Sequence, residues 1–484
     1  MKFPKYKLAF PGKHSLVFNG HPMTQFNGYK LNTTAIGGGV VSADKSKGYF
    51  GESATLYHEE DEYTTFLGFS SNIGTITGDT YVFGKGDDVV SGYFSATDPY
   101  NPLGLPDYTI RLKYKDGVTP SFSKGTGVQV SQNPNIWDLT YTNNNWSTLL
   151  EDDDDLLEIM GANSKYITSI TRITQACDNL SSVALFDTSN VTAMYMSFWS
   201  TNLSSIPQFN TTNVTNMYGA FCNTQIEEIP LLNTSNVENM INLFSNCKNL
   251  KTIPQFNTTN VTSMAGMFAG CSNLSSVPLL DTSKVTSMES MFFHTKIQTI
   301  PNLDTSKVSI MDGMFLHSPV TSIPLIDTSN CTSMKEMFSH TKIKSIPLLN
   351  TSGVVNMDNM FEQSSIVSMP SLNTSNVSSM KECFYYCSAL SSVKNMDTTK
   401  VRNMDYSFAN CSSLTAIPTF NLPVIENMNY TFMRCGKITS GTSAIYSNVS
   451  SRANDIQHNY TFFDCGINTT QGAAELAKIP NDWK

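Results

Sequence analysis

The sequence predicts an α/β solenoid, with one short helix and one short parallel strand per 23–24-residue unit, preceded by an all-β N-terminal region. Three observations carry this expectation. An anchor residue, Asn or Asp, recurs at positions 163, 187, 210, 233, 257, 281, 304, 327, 350, 373, 397 and 421, always 23 or 24 residues apart. A fixed period of this size marks units that cannot bury an apolar side alone and fold by stacking on their neighbours. After each anchor, V-x-x-M-x-x-x-F places apolar residues at i, i+3 and i+7, as with Met264 and Phe268 or Met334 and Phe338. That spacing is one face of a helix. The unit then closes on [L/I]-x-x-[I/V]-P, as in residues 274–278, a β-rich stretch kept short because proline donates nothing to a strand ladder.

The period falls in the leucine-rich-repeat range. The Asn/Asp-Thr-Ser/Thr run at each anchor offers side-chain acceptors to the free N–H groups of a helix start. Two correlations mark the repeat as a packed object. Units of 24 residues carry Cys177, Cys247, Cys271, Cys387 or Cys411 in the column where 23-residue units carry Thr or Ser, such as Thr224 and Ser318. A thiol suits a small buried hydrophobe in a slightly longer turn. Lys at the fourth position accompanies only Asp anchors (Asp281 with Lys284, Asp304 with Lys307, Asp397 with Lys400), which reads as a local counter-charge for stacked carboxylates.

Taken in order, residues 1–36 read as an N-terminal attachment segment with extended runs broken by Gly, Pro and Asn. Residues 37–96 hold five short strand patterns (37–43, 51–57, 63–70, 78–83 and 89–94) separated by turn residues, hence a small all-β module. Residues 97–155 continue as a β-rich connector, and the acidic run 151–155 reads as a solvated junction. The solenoid occupies 156–445, its first unit a cap in which Ile167 and Ile170 replace Val and Met. A C-terminal cap fills 446–484, where Ile456, Phe463 and Cys465 echo the repeat and residues 471–479 form a closing helix.

On the run Phe66-Leu67-Gly68-Phe69, the 37–96 module resembles the divergent InlB B-repeat domains, which implies a spacer or adhesion unit. On the recurrent N/D-T-S-N-V-x-x-M and M-F-x-x-C-x-x-L-x-x-I-P, residues 160–470 resemble the BspA-type leucine-rich repeats of bacterial surface proteins and of phages that infect bacteria. That resemblance implies binding to a host-surface protein or glycan. The N-terminus, with apolar stretches interrupted by Pro, Lys and His, does not read as a secretory signal. The expectation is therefore a virion-surface protein of a bacteriophage, made in the host cytoplasm. It joins other virion proteins through its N-terminal region and can self-associate. A bacterial cell-surface adhesin is the alternative.

A net charge of −9 offers no basic stripe for nucleic acid. No apolar run approaches the roughly 18 residues of a membrane helix. All ten cysteines lie in the repeats without a C-x-x-C spacing, so reduced thiols are expected and no metal knuckle. There is no Walker loop, G-x-S-x-G or HExxH. The stacked Asp281, Asp304 and Asp327 could bring two carboxylates close, as a tail-spike depolymerase requires. They fill the slot that Asn takes elsewhere, however, and the expectation is no enzyme and no cofactor. Binding is assigned to the column after each I-P on the sheet side, with Leu231, Gln255, Leu279, Asn302, Leu325 and Leu348 pointing outward and the column continuing to Asn395 and Thr419; the alternative is that Pro redirects these side chains inward. His294, His317 and His340 share one column just past the expected helix, where an imidazole can cap free carbonyls. Their unit spacing prevents three from converging on one zinc ion.

Overall fold

The structure is a computed structural model that describes residues 100–484 except 102 and 395, together with strand segments between residues 17 and 96. Most of the expected attachment segment 1–36 lies outside the described residues. The segments ahead of residue 100 are β1 (Val17–Phe18), β2 (His21–Pro22), β3 (Tyr29–Ile36), β4 (Val40–Ala43), β5 (Lys47–Gly48), β6 (Ser53–Glu59), β7 (Thr64–Ser70), β8 (Thr75–Thr77), β9 (Thr80–Val82) and β10 (Asp88–Ala96). Two four-stranded sheets result, ordered β5-β3-β10-β7 and β4-β6-β9-β8. Because β3 pairs with β10, one sheet joins residues on both sides of the boundary drawn at 36.

A five-stranded sheet follows, ordered β12-β13-β11-β14-β15, from β11 (Thr109–Tyr114), β12 (Thr126–Gln132), β13 (Asn135–Thr140), β14 (Leu156–Ala162) and β15 (Ser182–Val183). Its buried Ile110, Leu112, Leu139 and Ile159 join the same hydrophobic core as the repeats. Connector and solenoid are thus welded by packing and by the β11–β14 pair.

The expected helix is absent: among the described residues, none between 163 and 441 is helical. In the unit 233–256, the N–H groups of Met240, Asn242, Phe244 and Asn246 donate to the carbonyls of Ser263, Ala265, Met267 and Ala269 in the next unit, at 3.3, 2.9, 3.0 and 2.6 Å. The intervening Leu243, Ser245 and Cys247 donate three residues back, at 3.2, 3.1 and 3.0 Å. Asn242 and Asn246 have φ of 54° and 59°. A left-handed residue every fourth position makes the run two β-turns in series, a conformation that Gly and Asn favour. Met240 and Phe244 still face inward together, because consecutive turns repeat every four residues as a helix nearly does. The apolar spacing therefore fits either backbone, and the helical reading is corrected.

The expected parallel sheet is also replaced. Parallel pairing runs through single residues just before each Met, from Asn145 through Ser263, Ile310 and Asn356 to Gln457. The I-P segment contributes β15 and two isolated bridges, Ser368 with Ser392 and Ala416 with Ser440. Its buried residues, such as Ile343, Ile346 and Leu349, fall three apart, whereas a strand alternates with period two.

Side chains run in columns along the stack. The Thr after every anchor from Asp187 to Asp397 is buried and donates to the next unit's anchor carbonyl, as Thr282 does to Asp304 at 2.7 Å. Anchor Oδ1 accepts the N–H two residues on, as Asp281 does from Ser283 at 3.0 Å and Asn233 from Ser235 at 3.1 Å. This is an Asx turn and not a helix cap, and one oxygen suffices, which lets Asn and Asp interchange. The Lys beside an Asp anchor reaches elsewhere: Lys284 Nζ donates to Asn260 Oδ1 at 2.7 Å, and Lys400 Nζ to Asn376 Oδ1 at 2.6 Å. The twelve phenylalanines from Phe198 to Phe462 stack with successive centroids 5.1–6.1 Å apart.

The cysteine correlation has a geometric cause. In 24-residue units the extra residue lets the Leu N–H close a turn on the Cys carbonyl, as Leu274 does on Cys271 at 2.9 Å. The thiol then donates to the preceding unit's Phe carbonyl, as Cys271 does to Phe244 at 3.0 Å. In 23-residue units Thr Oγ1 serves its own unit's Phe carbonyl instead, as in Thr224 to Phe221 at 2.9 Å. All ten cysteines are free and buried, and burial pushes the Cys247 thiol up to about 11.

Both ends extend the coil beyond its sequence boundaries. Trp146, Thr148, Leu150 and Asp152 donate to Ser169, Thr171, Ile173 and Gln175, with Thr148 and Asp152 left-handed. The acidic run is therefore partly inside the ladder, and Asp153 accepts the Tyr114 hydroxyl at 2.8 Å. At the other end the stacked residue is Phe462, fully buried, whereas Phe463 is exposed. The Phe462 N–H donates to the Trp483 carbonyl at 2.9 Å. Helices α1 (Thr442–Val449) and α2 (Thr470–Leu476) close this end.

Each unit buries Val, Met, Phe and several Leu or Ile, at roughly 1.5–3 kcal/mol apiece. That outweighs about 1–2 kcal/mol for each non-glycine left-handed residue, so the turn coil tolerates imperfect residues there. At Gly266 (φ 61°) an added Cβ would also lie 2.1 Å from Asn242 Oδ1, whose side chain must then turn aside. Gly266→Ala is expected to lower unfolding free energy by about 1–2 kcal/mol, read by chemical denaturation.

Candidate functional site

The outward column lies on the irregular segment between the I-P and the Asx turn, where inward residues such as Leu280 and Leu349 fix their neighbours outward. Leu279, Leu325 and Leu348 are 59, 67 and 63% exposed, and Asn302 between them is exposed. Leu231 instead packs half-buried against the core. Half-buried Gln255 is spent on the next unit, its Nε2 donating to the Leu279 carbonyl at 2.7 Å. Four of the six assigned residues thus make one surface rail and two do not; Asn395 lies outside the described residues. Two residues further along the chain, Asp281, Asp304 and Asp327 form an exposed acidic row beside the rail. Backbone hydrogen bonds from Ser306 and Ser329 hold Asp304 and Asp327 below the usual carboxylate range.

The three histidines occupy left-handed positions in the second turn (φ 52–58°), not a helix end. Their N–H groups donate to Leu316, Ser339 and Glu362 in the following units. The rings of His317 and His340 stack at 4.1 Å, with His294 and His317 at 6.3 Å, and no cluster of three metal-ligating side chains occurs among the described residues. Burial, then His340 and His294, hold His317 below its ordinary value, while Glu362 and Glu336 pull upward. A depressed histidine means that the unfolded chain takes up its proton first. Stability is therefore full above the unfolded value, about 6.5, and declines as pH falls towards the folded value. Replacing all three with Asn, which also accepts a left-handed backbone, is expected to leave Tm unchanged near about pH 8 and to make the fall in Tm towards about pH 5 shallower. Thermal melts across that range check it.

Sequence reasoning missed a second exposed strip, at the C-terminal end of the coil. Tyr385, Tyr386, Tyr406, Tyr430, Tyr460 and Phe463 form an unbroken chain of ring contacts 4.5–5.7 Å apart. The available signal was Tyr at positions where other units carry Gly or Asn, as at Gly219, Gly266 and Asn242.

The repeats match a family profile described as "Mycoplasma protein of unknown function, DUF285" over residues 167–277, 219–322, 273–370, 294–390, 318–414 and 367–465. No curated protein matches the chain. Among solved structures, a leucine rich cell surface protein from Faecalibacterium prausnitzii A2-165 is similar at 14% identity and a TM-score of 0.27, over 70% of this chain and 98% of that one. The family matches together run from residue 167 to 465, more than half of the sequence, and on that ground the chain belongs to the DUF285 family.

Proposed function

We propose that the chain is a non-enzymatic binding protein displayed on a surface, holding a protein partner through the leucine rail. The observation that carries this reading is the exposure of Leu279, Leu325 and Leu348 in one column of a coil whose other aliphatic columns are buried. Grouped exposed apolar residues mark interaction sites. The hydrogen-bonded stack beneath them fixes their spacing in advance, which lowers the ordering cost of binding. The acidic row of Asp281, Asp304 and Asp327 adds charge selectivity at the rim. The carboxylates of that row are committed to Asx turns, which supports a structural role for them over hydrolysis of a polysaccharide.

Display on a phage particle is the home we propose from the sequence, with attachment through the N-terminal region. The family's description as a Mycoplasma protein supports a bacterial source, in line with the second reading, a bacterial cell-surface adhesin. Mass spectrometry of purified particles against cell envelopes separates the two. For the rail itself, Leu325→Asp and Leu348→Asp are expected to abolish adsorption of labelled protein to bacterial cells while shifting Tm by less than about 4 °C. Retained adsorption, or a large fall in Tm, removes the rail from the binding reading.

A further inference from the structure

Four tyrosines of the C-terminal strip take the left-handed position of a turn. Tyr386, Tyr406, Tyr430 and Tyr460 have φ of 58°, 55°, 59° and 52°. The same two columns elsewhere hold Gly219, Gly266, Asn242 and Asn410, which adopt this conformation at little cost, but also Met196, Ser290, Glu336 and His317. A bulky residue there is strained. Tyr406 and Tyr430 are half-buried in the stack, whereas Tyr386 and Tyr460 are 45 and 49% exposed and the adjoining Phe463 is 36% exposed, so packing leaves the outer rings unexplained. An aromatic strip that reaches the surface over consecutive units points to a ligand.

The chemistry of the strip selects the ligand's class. Tyr406 and Tyr430 stack at 4.5 Å with 11° between planes, and Tyr430 and Tyr460 at 5.5 Å with 24°. These rings cover one another's faces and leave edges and hydroxyls for a partner. A sugar seated by its C–H groups needs open faces, so the strip is poorly suited to it. Carboxylates flank the rings on three successive units. Glu362 and Glu382 both accept from Asn359 Nδ2, at 3.0 and 2.9 Å, and Asp405 precedes Tyr406. The nearby cations are Lys381, which is paired with Glu382 at 3.4 Å, and the exposed Arg434. Acidic groups remain in excess, against Tyr edges that supply rigid amphipathic contact.

We infer that this strip binds an extended polypeptide segment carrying arginine, its guanidinium groups paired with Glu362, Glu382 and Asp405 and its aliphatic stems laid along the tyrosines. Units about 4.8 Å apart present four successive levels, a span of about 14 Å or about four extended residues, which a hexapeptide covers. The inference is independent of the leucine rail.

The test uses the full chain and a hexa-arginine peptide, with hexa-glutamate and cellohexaose as comparison probes. Calorimetry is expected to show saturable binding of hexa-arginine and of neither other probe. The double variant Tyr386→Asn/Tyr460→Asn keeps every charge and relieves two left-handed tyrosines. It is expected to weaken the peptide at least about tenfold with Tm held within about 4 °C. Glu382→Gln is expected to weaken it likewise, and Leu325→Asp to leave it unchanged. Equal affinity in the tyrosine variant would reduce the effect to net charge and overturn the proposal. So would absence of hexa-arginine binding, binding of cellohexaose in its place, or a Tm loss above about 10 °C in the tyrosine variant with affinity intact in Glu382→Gln.

Discussion

The whole structure depends on where the backbone N–H groups between each Met and the second left-handed residue go. Alternate groups cross to the next unit and the rest fold three residues back, so the segment's backbone donors are satisfied without a helix or a continuous sheet. Buried backbone polar groups left unpaired would cost more than packing returns. The left-handed residues are what make the alternation possible. From that one pattern follow the register of the Phe column, the buried Thr bonded to the next anchor carbonyl, and the outward placement of the leucines.

The period, the anchors, the buried columns and the continuity of the stack were legible in the sequence because they depend on which residues avoid water. The backbone was not, because a four-residue turn repeat and a 3.6-residue helix bury nearly the same positions over two turns. Met240 and Phe244 satisfy both. The distinguishing marks were Gly and Asn spaced four apart, as in Asn242 and Asn246 or Gly266 and Gly270, residues that weaken a helix and favour αL. The I-P segment carried a similar warning in its three-residue burial spacing.

The candidate site was half legible. Exposure of Leu279, Leu325 and Leu348 follows from their place between two inward residues. The fate of Leu231 and Gln255 depends on neighbours in adjacent units, which a single unit's pattern does not contain. The first arc of the coil, at Trp146 and Leu150, was hidden because its inward residues replace Val, Met and Phe. Only its hydrogen bonds to Ser169, Thr171 and Ile173 reveal it.

Trp146 and Trp483 stand at the two ends of the stack, each fully buried, and the turns between them share one ladder of N–H to carbonyl bonds. Closure is thus separated from length. A unit of 23 or 24 residues can be duplicated or lost between the two tryptophans while both terminators keep their contacts. The protein behaves as an adjustable mast: each added unit carries the tyrosine strip about 5 Å further from the N-terminal sheets. Length can therefore change by gene duplication alone, with the closure at neither end being rebuilt.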